Sequence, residues 1–95
     1  ISSRDISESR LHDNDFSNAN LANNKMAHVD FQGSNLSYTN LRNAELLGSN
    51  LSGVDLVGAN LSGANLSGAN LSGANLSGAI LDYAILDCMQ HTICN

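Results

Sequence analysis

Large apolar residues recur at every fifth position, and this spacing is the strongest constraint on what the chain can fold into. The series comprises Ile6, Leu11, Phe16, Leu21, Met26, Phe31, Leu36, Leu41, Leu46, Leu51, Leu56, Leu61, Leu66, Leu71, Leu76, Leu81 and Leu86. In an α-helix, residues five apart lie about 140° from each other around the axis and share no face. In a continuous strand they would lie on alternate sides of a sheet. Neither element gathers the series into one core.

A short strand followed by a corner does gather it. The residue two positions before each leucine is small along most of the chain, as at Ala44, Ala59 and Ala64. A three-residue strand directs its first and third side chains to the same side. If two further residues then turn the chain, every pentad points a small residue and a leucine inward. The pattern predicts a coil whose interior holds the series from Phe16 to Leu86.

The corners carry a second signal. Ser-Gly follows the leucine at residues 52–53, 62–63, 67–68, 72–73 and 77–78. Glycine supplies the positive φ that a type II turn requires. His28, Tyr38 and Tyr83 occupy the same position at other corners, and such residues adopt positive φ poorly. We predict type II turns at the glycines and another turn type at these three residues.

Four identical pentads, Ala-Asn-Leu-Ser-Gly, fill residues 59–78. They resemble the A-(N/D)-L-x-x signature of pentapeptide-repeat proteins, and the resemblance extends over about residues 4–88. It implies an all-β fold, a right-handed quadrilateral parallel β-helix (solenoid) with about four coils of four pentapeptides. Such a coil has four chemically identical sides over residues 59–78, so this segment is interpreted as a spacer.

The ends depart from the pattern. Arg4, Asn14 and Asn24 occupy interior small positions, where unpaired polar groups are costly. His91 stands where the next leucine is due. We therefore divide the chain into a degenerate first coil or N-terminal cap (1–15), the β-helix (16–88) and a C-terminal cap or tail (89–95).

Charge and hydropathy exclude two classes of partner. Nine acidic and four basic residues give a net charge of -5, which disfavours binding to nucleic acid phosphates. No run of apolar residues is long enough for a membrane helix, and no signal peptide is evident at the start. We expect a soluble chain, with the cytoplasm favoured. Because it begins with Ile1 instead of Met, it is open whether the chain is part of a longer polypeptide.

Candidate chemistry is sparse. A general base needs a hydrogen-bonded partner in a pocket that excludes water, and His12, His28 and His91 are spread over the coil. Cys88, His91 and Cys94 could supply three zinc ligands, but structural zinc takes four. Two free thiols are the default for the cysteines, with a disulfide that fastens the cap as the alternative. We predict no enzyme activity, no cofactor and no metal.

Asparagine dominates the outward strand position, at Asn20, Asn35, Asn40, Asn50, Asn60, Asn65, Asn70 and Asn75. Stacked amides could recognise ice, sugar or metal. The interpretation that we favour is that they hydrogen-bond to each other and to the corner backbone.

The function predicted is a non-catalytic scaffold that binds a protein partner or other domains of a longer chain. The alternative comes from the family: an acidic solenoid that resembles DNA and inhibits or protects a type II topoisomerase such as gyrase. The net charge is compatible with such mimicry, but no side of the predicted coil carries a continuous acidic stripe.

The outward position changes from Asn75 to Ile80 and Ile85 near the end, with Tyr83 at the corner between them. Exposure of these three side chains together is unfavourable. They are the candidate interface. Either the terminal segment with Met89 and Ile93 folds back over them, or a second copy covers them in a homodimer, which we slightly favour.

Overall fold

Backbone pairing between residues 20 positions apart organises the whole chain. The computed structural model describes residues 4–94, where fourteen parallel bridges join single residues of neighbouring coils. Thirteen bridges join residues i and i+20, beginning with Asp5 and Lys25, and the last joins Asn70 and Met89. Each coil therefore contains 20 residues, which is four pentapeptides.

The bridged residues define four sides of the coil. The first side stacks Asp5, Lys25, Glu45, Asn65 and Ile85; the second, Arg10, Asp30, Asn50, Asn70 and Met89; the third, Asp15, Asn35, Asp55 and Asn75; the fourth, Asn20, Asn40, Asn60 and Ile80. Within residues 4–94, every strand is a single bridged residue and there is no helix, hence none that could cross a bilayer. The molecule measures 29 × 25 × 22 Å.

Three backbone hydrogen bonds per pentad hold one coil to the next. In the pentad around Leu46, the N–H of Glu45 donates to Asn24 O (3.0 Å), that of Leu46 to Asn65 O (2.8 Å), and that of Gly48 to Ser67 O (2.8 Å). The third bond extends the pairing into the corner. Corner conformation is therefore fixed by the neighbouring coil as well as by local sequence.

The second residue of each two-residue corner adopts positive φ, and this corrects one prediction. The eight glycines have φ of 66–71°, as a type II turn requires. His28, Tyr38 and Tyr83 were expected to form another turn type, but their φ values are 57°, 57° and 60°. The ladder explains the error, since in this conformation the N–H of Tyr38 donates to Val57 O (2.8 Å) and continues the pairing between coils through the corner. Regular pairing outweighs a local cost of about 1–2 kcal/mol at each such residue.

Acidic and amide side chains secure the start of the corners. At twelve outward positions, an Oδ1 atom accepts the N–H of the residue two ahead, as from Ser62 to Asn60 (3.0 Å). The predicted bonds from asparagine to the corner backbone are thus present. At Asp15, hydrogen bonds from the Ser17 side chain and backbone lower the pKa of the carboxyl group. This local bond explains the preference for Asn and Asp at the position.

The interior contains the predicted leucine series. From Leu21 to Leu71 its members are 0–3% exposed, whereas Phe16, Leu76, Leu81 and Leu86 are partly buried and pack against the same core. The rings of Phe16 and Phe31 meet edge to face with centroids 5.9 Å apart. The series thus forms one continuous column.

Polar interior residues are paired. The hydroxyl of Ser34 donates to Leu11 O and that of Ser49 to Met26 O, each at 2.7 Å. Asn24 is fully buried, and its Oδ1 accepts the N–H of Arg4 (2.9 Å). Arg4 and Asn14 are exposed. The expected cost of burying polar groups at the N-terminal end is therefore avoided. The three-part division at residues 15 and 88 stays a prediction.

At the C-terminal end the register slips by one residue. Asn70 pairs with Met89, which is 19 positions away, because the corner after Leu86 is one residue short. Cys88 therefore lies inward, at 7% exposure, where the repeat places a small residue. The chain then turns at Gln90, whose φ is 65°.

His91 closes the open end of the solenoid. Its Nδ1 accepts the N–H of Ile93 (3.3 Å), so Nε2 carries the hydrogen and donates it to Ala74 O (3.1 Å). In the coil before, the equivalent carbonyl of Val54 accepts the N–H of Asn75 (3.0 Å). The imidazole thus takes the place of the backbone that a further coil would supply.

A disulfide between Cys88 and Cys94 fastens this cap, so the default of two free thiols was wrong. The register slip brings Cys88 to the end of the core, and the turn at 91–94 returns Cys94 to it, giving a Cα separation of 5.0 Å. Ile93 and Cys94 pack against the core from outside. A disulfide leaves no thiolate for zinc, so the Cys88, His91 and Cys94 set does not form a metal site.

We expect Leu51→Asp to unfold the protein and Ser62→Asp to leave it folded. Truncating a buried leucine typically costs about 2–5 kcal/mol, and a buried charge costs more. Ser62 lies at a partly exposed corner, where changes usually stay within about 0.5 kcal/mol. Circular dichroism during thermal unfolding compares the two variants, and equal tolerance of both would contradict the inward assignment of Leu51.

Removal of the disulfide by the double change Cys88→Ser and Cys94→Ser should loosen the C-terminal coil. A six-residue loop is expected to contribute about 2 kcal/mol. Coils interact only with their neighbours, so the effect should fade with distance. We expect faster hydrogen exchange at the amides of Leu71 and Met89 and unchanged exchange at Leu51. Reductant should reproduce this in the wild type and do nothing to the variant; equal protection of Leu71 in both would show that the cap holds without the bond.

Candidate binding surface

Four of the five large apolar side chains that are exposed in residues 4–94 belong to the last coil. They are Ile80 (44%), Tyr83 (96%), Ile85 (50%) and Met89 (49%). The bridges place Ile80 above Asn60, Ile85 above Asn65 and Met89 above Asn70, on three consecutive sides. We call Ile80, Tyr83 and Ile85 the apolar patch; Met89 extends it.

The terminal segment does not cover this patch. Ile93 and Cys94 lie against the end of the core, and His91 bonds to Ala74. The segment that was one predicted cover therefore closes the end of the solenoid and leaves its flank open. From the sequence, Met89 was expected to lie in the segment that folds back. The register slip instead returns Met89 to an outward strand position, and no residue pattern in the sequence predicts this slip.

The patch also lacks the hydrogen bond to the corner that side chains at twelve other outward positions accept. Asn60 and Asn65 accept the N–H groups of Ser62 and Ser67 (3.0 Å each). Ile80 and Ile85 have no side-chain acceptor, so the corners after them lack this support. Where the surface becomes apolar, the corners therefore lack the local hydrogen bond that Asn60 and Asn65 accept in the preceding coil.

The fifth exposed apolar side chain is that of Tyr38, at 63%. Its ring lies against Gly58 in the next coil, where an added Cβ would come within 2.5 Å of Tyr38 Cε1. His28 lies against Gly48 in the same way. Glycine at these corners thus has two roles. It adopts the positive φ, and its lack of a side chain leaves room for the ring from the preceding coil.

Charge is unevenly distributed over the four sides. The fourth side, taken as residues 19–23, 39–43, 59–63 and 79–83, contains Arg42 and Asp82 and no other charged residue. The remaining eight acidic and three basic residues lie elsewhere. On the first side, Asp5, Lys25 and Glu45 alternate in sign, and Lys25 contributes to the lowered pKa of Asp5 after the hydrogen bonds from Ser7. The net negative charge therefore comes from the other three sides.

The histidines do not form a catalytic group. His12 Nδ1 lies 3.7 Å from Asp30 Oδ2, with both side chains partly exposed at a corner. His28 lies over Gly48, and His91 is engaged at the cap. No group of three or more His, Cys, Asp or Glu side chains within residues 4–94 is arranged to hold a metal ion.

The N-terminal opening contains a cavity of about 140 Å³ lined by Ile6, Ser9, Leu11, Phe16, Leu21 and Phe31. Its lining offers a single hydroxyl, and Ser9 Oγ donates to Ile6 O (2.6 Å). The cavity can hold an apolar group, but it presents no acid or base to one.

Comparison with known proteins agrees with this architecture. The model of the pentapeptide repeat family matches residues 15–53, 25–63 and 59–89, with eight copies. A search of curated proteins finds no match.

Solved structures of pentapeptide repeat proteins align with the chain. Rfr23 from the cyanobacterium Cyanothece 51142 is 37% identical, with a TM-score of 0.60 over 99% of this chain and 61% of that one. HetL of Nostoc sp. strain PCC 7120, involved in heterocyst differentiation regulation, is 28% identical with a TM-score of 0.54 over 90% and 59%. QnrB1, a plasmid-mediated fluoroquinolone resistance protein, is 22% identical with a TM-score of 0.57 over 88% and 56%, which shows the fold alone.

The chain spans about three fifths of the length of these structures. The repeat register, the family match over most of the chain and the identity to Rfr23 lead to one conclusion. The chain belongs to the pentapeptide repeat family.

Proposed function

We propose that the chain is a non-catalytic scaffold that binds a protein through the apolar patch of Ile80, Tyr83 and Ile85. One observation carries the proposal: three large apolar side chains stand exposed on the last coil, 44–96% accessible, while every outward strand position from Asp5 to Asn75 is polar or charged. Full burial of such a side chain is favourable by about 1.5–3 kcal/mol. Contact with the surface of another protein buries these side chains and thereby releases this free energy.

The scaffold is taken to be a right-handed quadrilateral β-helix. Four corners and 20 residues per coil support the quadrilateral form. The right hand rests on the family resemblance and on a general rule, since connections between parallel paired strands are right-handed in almost all proteins.

The absence of catalysis is part of the proposal. Its support is the dispersal of the histidines and the apolar lining of the cavity at the N-terminal opening. Acid or base catalysis needs a donor or acceptor within reach of a bound substrate.

The partner is a second copy of the chain, a different protein or another part of a longer polypeptide. A homodimer through the C-terminal end requires only the apolar patch itself. The disulfide indicates in which compartment the partner is bound, because disulfides persist in oxidising compartments and are rare in the cytosol. It favours an oxidising compartment over the cytoplasmic location expected from the sequence.

The alternative, DNA mimicry toward a type II topoisomerase, has less support. The similarity to QnrB1 is one of fold, at 22% identity. A mimic needs negative charge repeated along one side at phosphate spacing. Here the first side alternates Asp5, Lys25 and Glu45, and the fourth side has no net charge.

Self-association is the first test of the apolar patch. Light scattering over a range of concentrations should show the mass rising from one copy toward two, and Ile85→Asp should move this rise to higher concentration because it places a charge in the contact. Ser52→Asp adds the same charge at a corner of the second side and should change nothing. A wild type that is monomeric throughout rules out the homodimer, and a dimer indifferent to Ile85→Asp places the contact elsewhere.

A supercoiling assay with DNA gyrase tests the alternative directly. We expect no change in supercoiling activity when the protein is added in large molar excess, because no side presents a continuous acidic stripe. Inhibition that disappears when Asp55 is changed to Asn would restore the alternative.

A further inference from the structure

The fourth side has the features of a surface that pairs with itself. We call it the asparagine side and define it, as above, by residues 19–23, 39–43, 59–63 and 79–83. Arg42 and Asp82 occupy the same corner of this side, two coils apart, which is about 10 Å. Both are exposed, and neither forms an ion pair with a residue between 4 and 94. One positive and one negative charge thus stand on an otherwise neutral surface.

An exposed aromatic ring lies at the height midway between these charges. Tyr38 begins at the opposite corner of the same side, and its ring extends over Gly58, in the coil that separates Arg42 from Asp82. Ile80 and Tyr83 lie at the upper end of the side. The asparagine side, with the corner that borders it at Tyr38, therefore combines three exposed apolar groups with a symmetric pair of charges.

We propose that a second copy of the chain docks on the asparagine side with its coil axis antiparallel to the first. This inference rests on the proposed function, since it names a second copy as the partner of the scaffold; the contact includes Ile80 and Tyr83 of the apolar patch but not Ile85, which lies on the first side. The two-fold axis of this dimer lies in the plane of the contact, perpendicular to the coil axes, at the height of Asn60. Arg42 of each copy then faces Asp82 of the other, and the two Tyr38 rings meet at the axis.

The charges select the antiparallel arrangement over the parallel one. With parallel axes, the corner that carries Arg42 and Asp82 would face the opposite corner of the second copy, where Ser37 and Ser77 stand at the matching heights. Both charges would then lose water without gaining an opposite charge, which is costly. The antiparallel arrangement gives two ion pairs from one sequence, as an isologous contact requires.

The dimensions of the molecule set the strength of the contact. One side of a body of 29 × 25 × 22 Å offers roughly 500 Å² to a partner, which is at the lower end for a specific interface. The dimer should therefore be weak, dissociate on dilution and weaken further in high salt, which screens exposed ion pairs.

Charge exchange tests the pairing. Arg42→Asp sets two carboxylates against each other across the contact, and Asp82→Arg sets two guanidinium groups together; each should weaken dimerisation about tenfold or more. The double variant Arg42→Asp with Asp82→Arg restores both pairs and should recover the dimer. Sedimentation equilibrium measures the three constants, and circular dichroism checks that each variant folds.

A matched control separates the pairing from net charge. Lys25→Asp makes the same change in net charge as Arg42→Asp, but on the first side, and should leave dimerisation unchanged. Failure of the double variant to recover, or equal weakening by Lys25→Asp, overturns the antiparallel pairing.

The outcomes distinguish this inference from the proposed function. A dimer that resists Arg42→Asp yet is lost on Ile85→Asp overturns the asparagine-side contact and keeps the C-terminal one. A chain that stays monomeric at all concentrations overturns self-association on either surface and leaves the scaffold with a different protein as its partner.

Discussion

The structure depends on the backbone ladder between residues 20 apart. Each pentad donates three hydrogen bonds to the neighbouring coils, one to the preceding coil and two to the next, and one of these two comes from the second corner residue. Strand, corner and core are thereby fixed together: the ladder sets the corner dihedral angles, the corners return the leucines to the axis, and the leucines fill the space that the coils enclose. A residue that suits its corner poorly is tolerated because its neighbours above and below are already paired.

How much of this could be predicted follows from how local each signal is. The period of five identified the buried column from Leu21 to Leu71, and the change from Asn75 to Ile80 marked the candidate interface. The conformation of His28 and Tyr38 could not be inferred from their own preferences, because bonds to another coil impose it. The error lay in treating a corner as an isolated turn.

The geometry of the C-terminal cap could not be predicted from the repeat pattern, for a different reason. Its geometry follows from the loss of one residue after Leu86, which brings Cys88 inward and Met89 outward. Six residues of separation between the cysteines are compatible with either thiols or a disulfide, and only the turn at 91–94 decides between them. The alignment of Arg42 and Asp82 on one corner, by contrast, follows from the sequence once the coil is known to contain 20 residues.

The contacts at the corners also bear on how such a solenoid can lengthen. Where glycine follows glycine along a corner, an added Cβ at Gly73 would lie 3.7 Å from the backbone of Gly53, at ordinary contact distance. Where Tyr38 or His28 precedes glycine, the same added atom would collide with a ring. A duplicated copy of residues 59–78 therefore fits on itself, whereas a duplicated copy of the coil with Tyr38 would set its ring against a second Tyr38. Gene duplication can thus lengthen the solenoid within its glycine-cornered segment without a steric conflict at the corners.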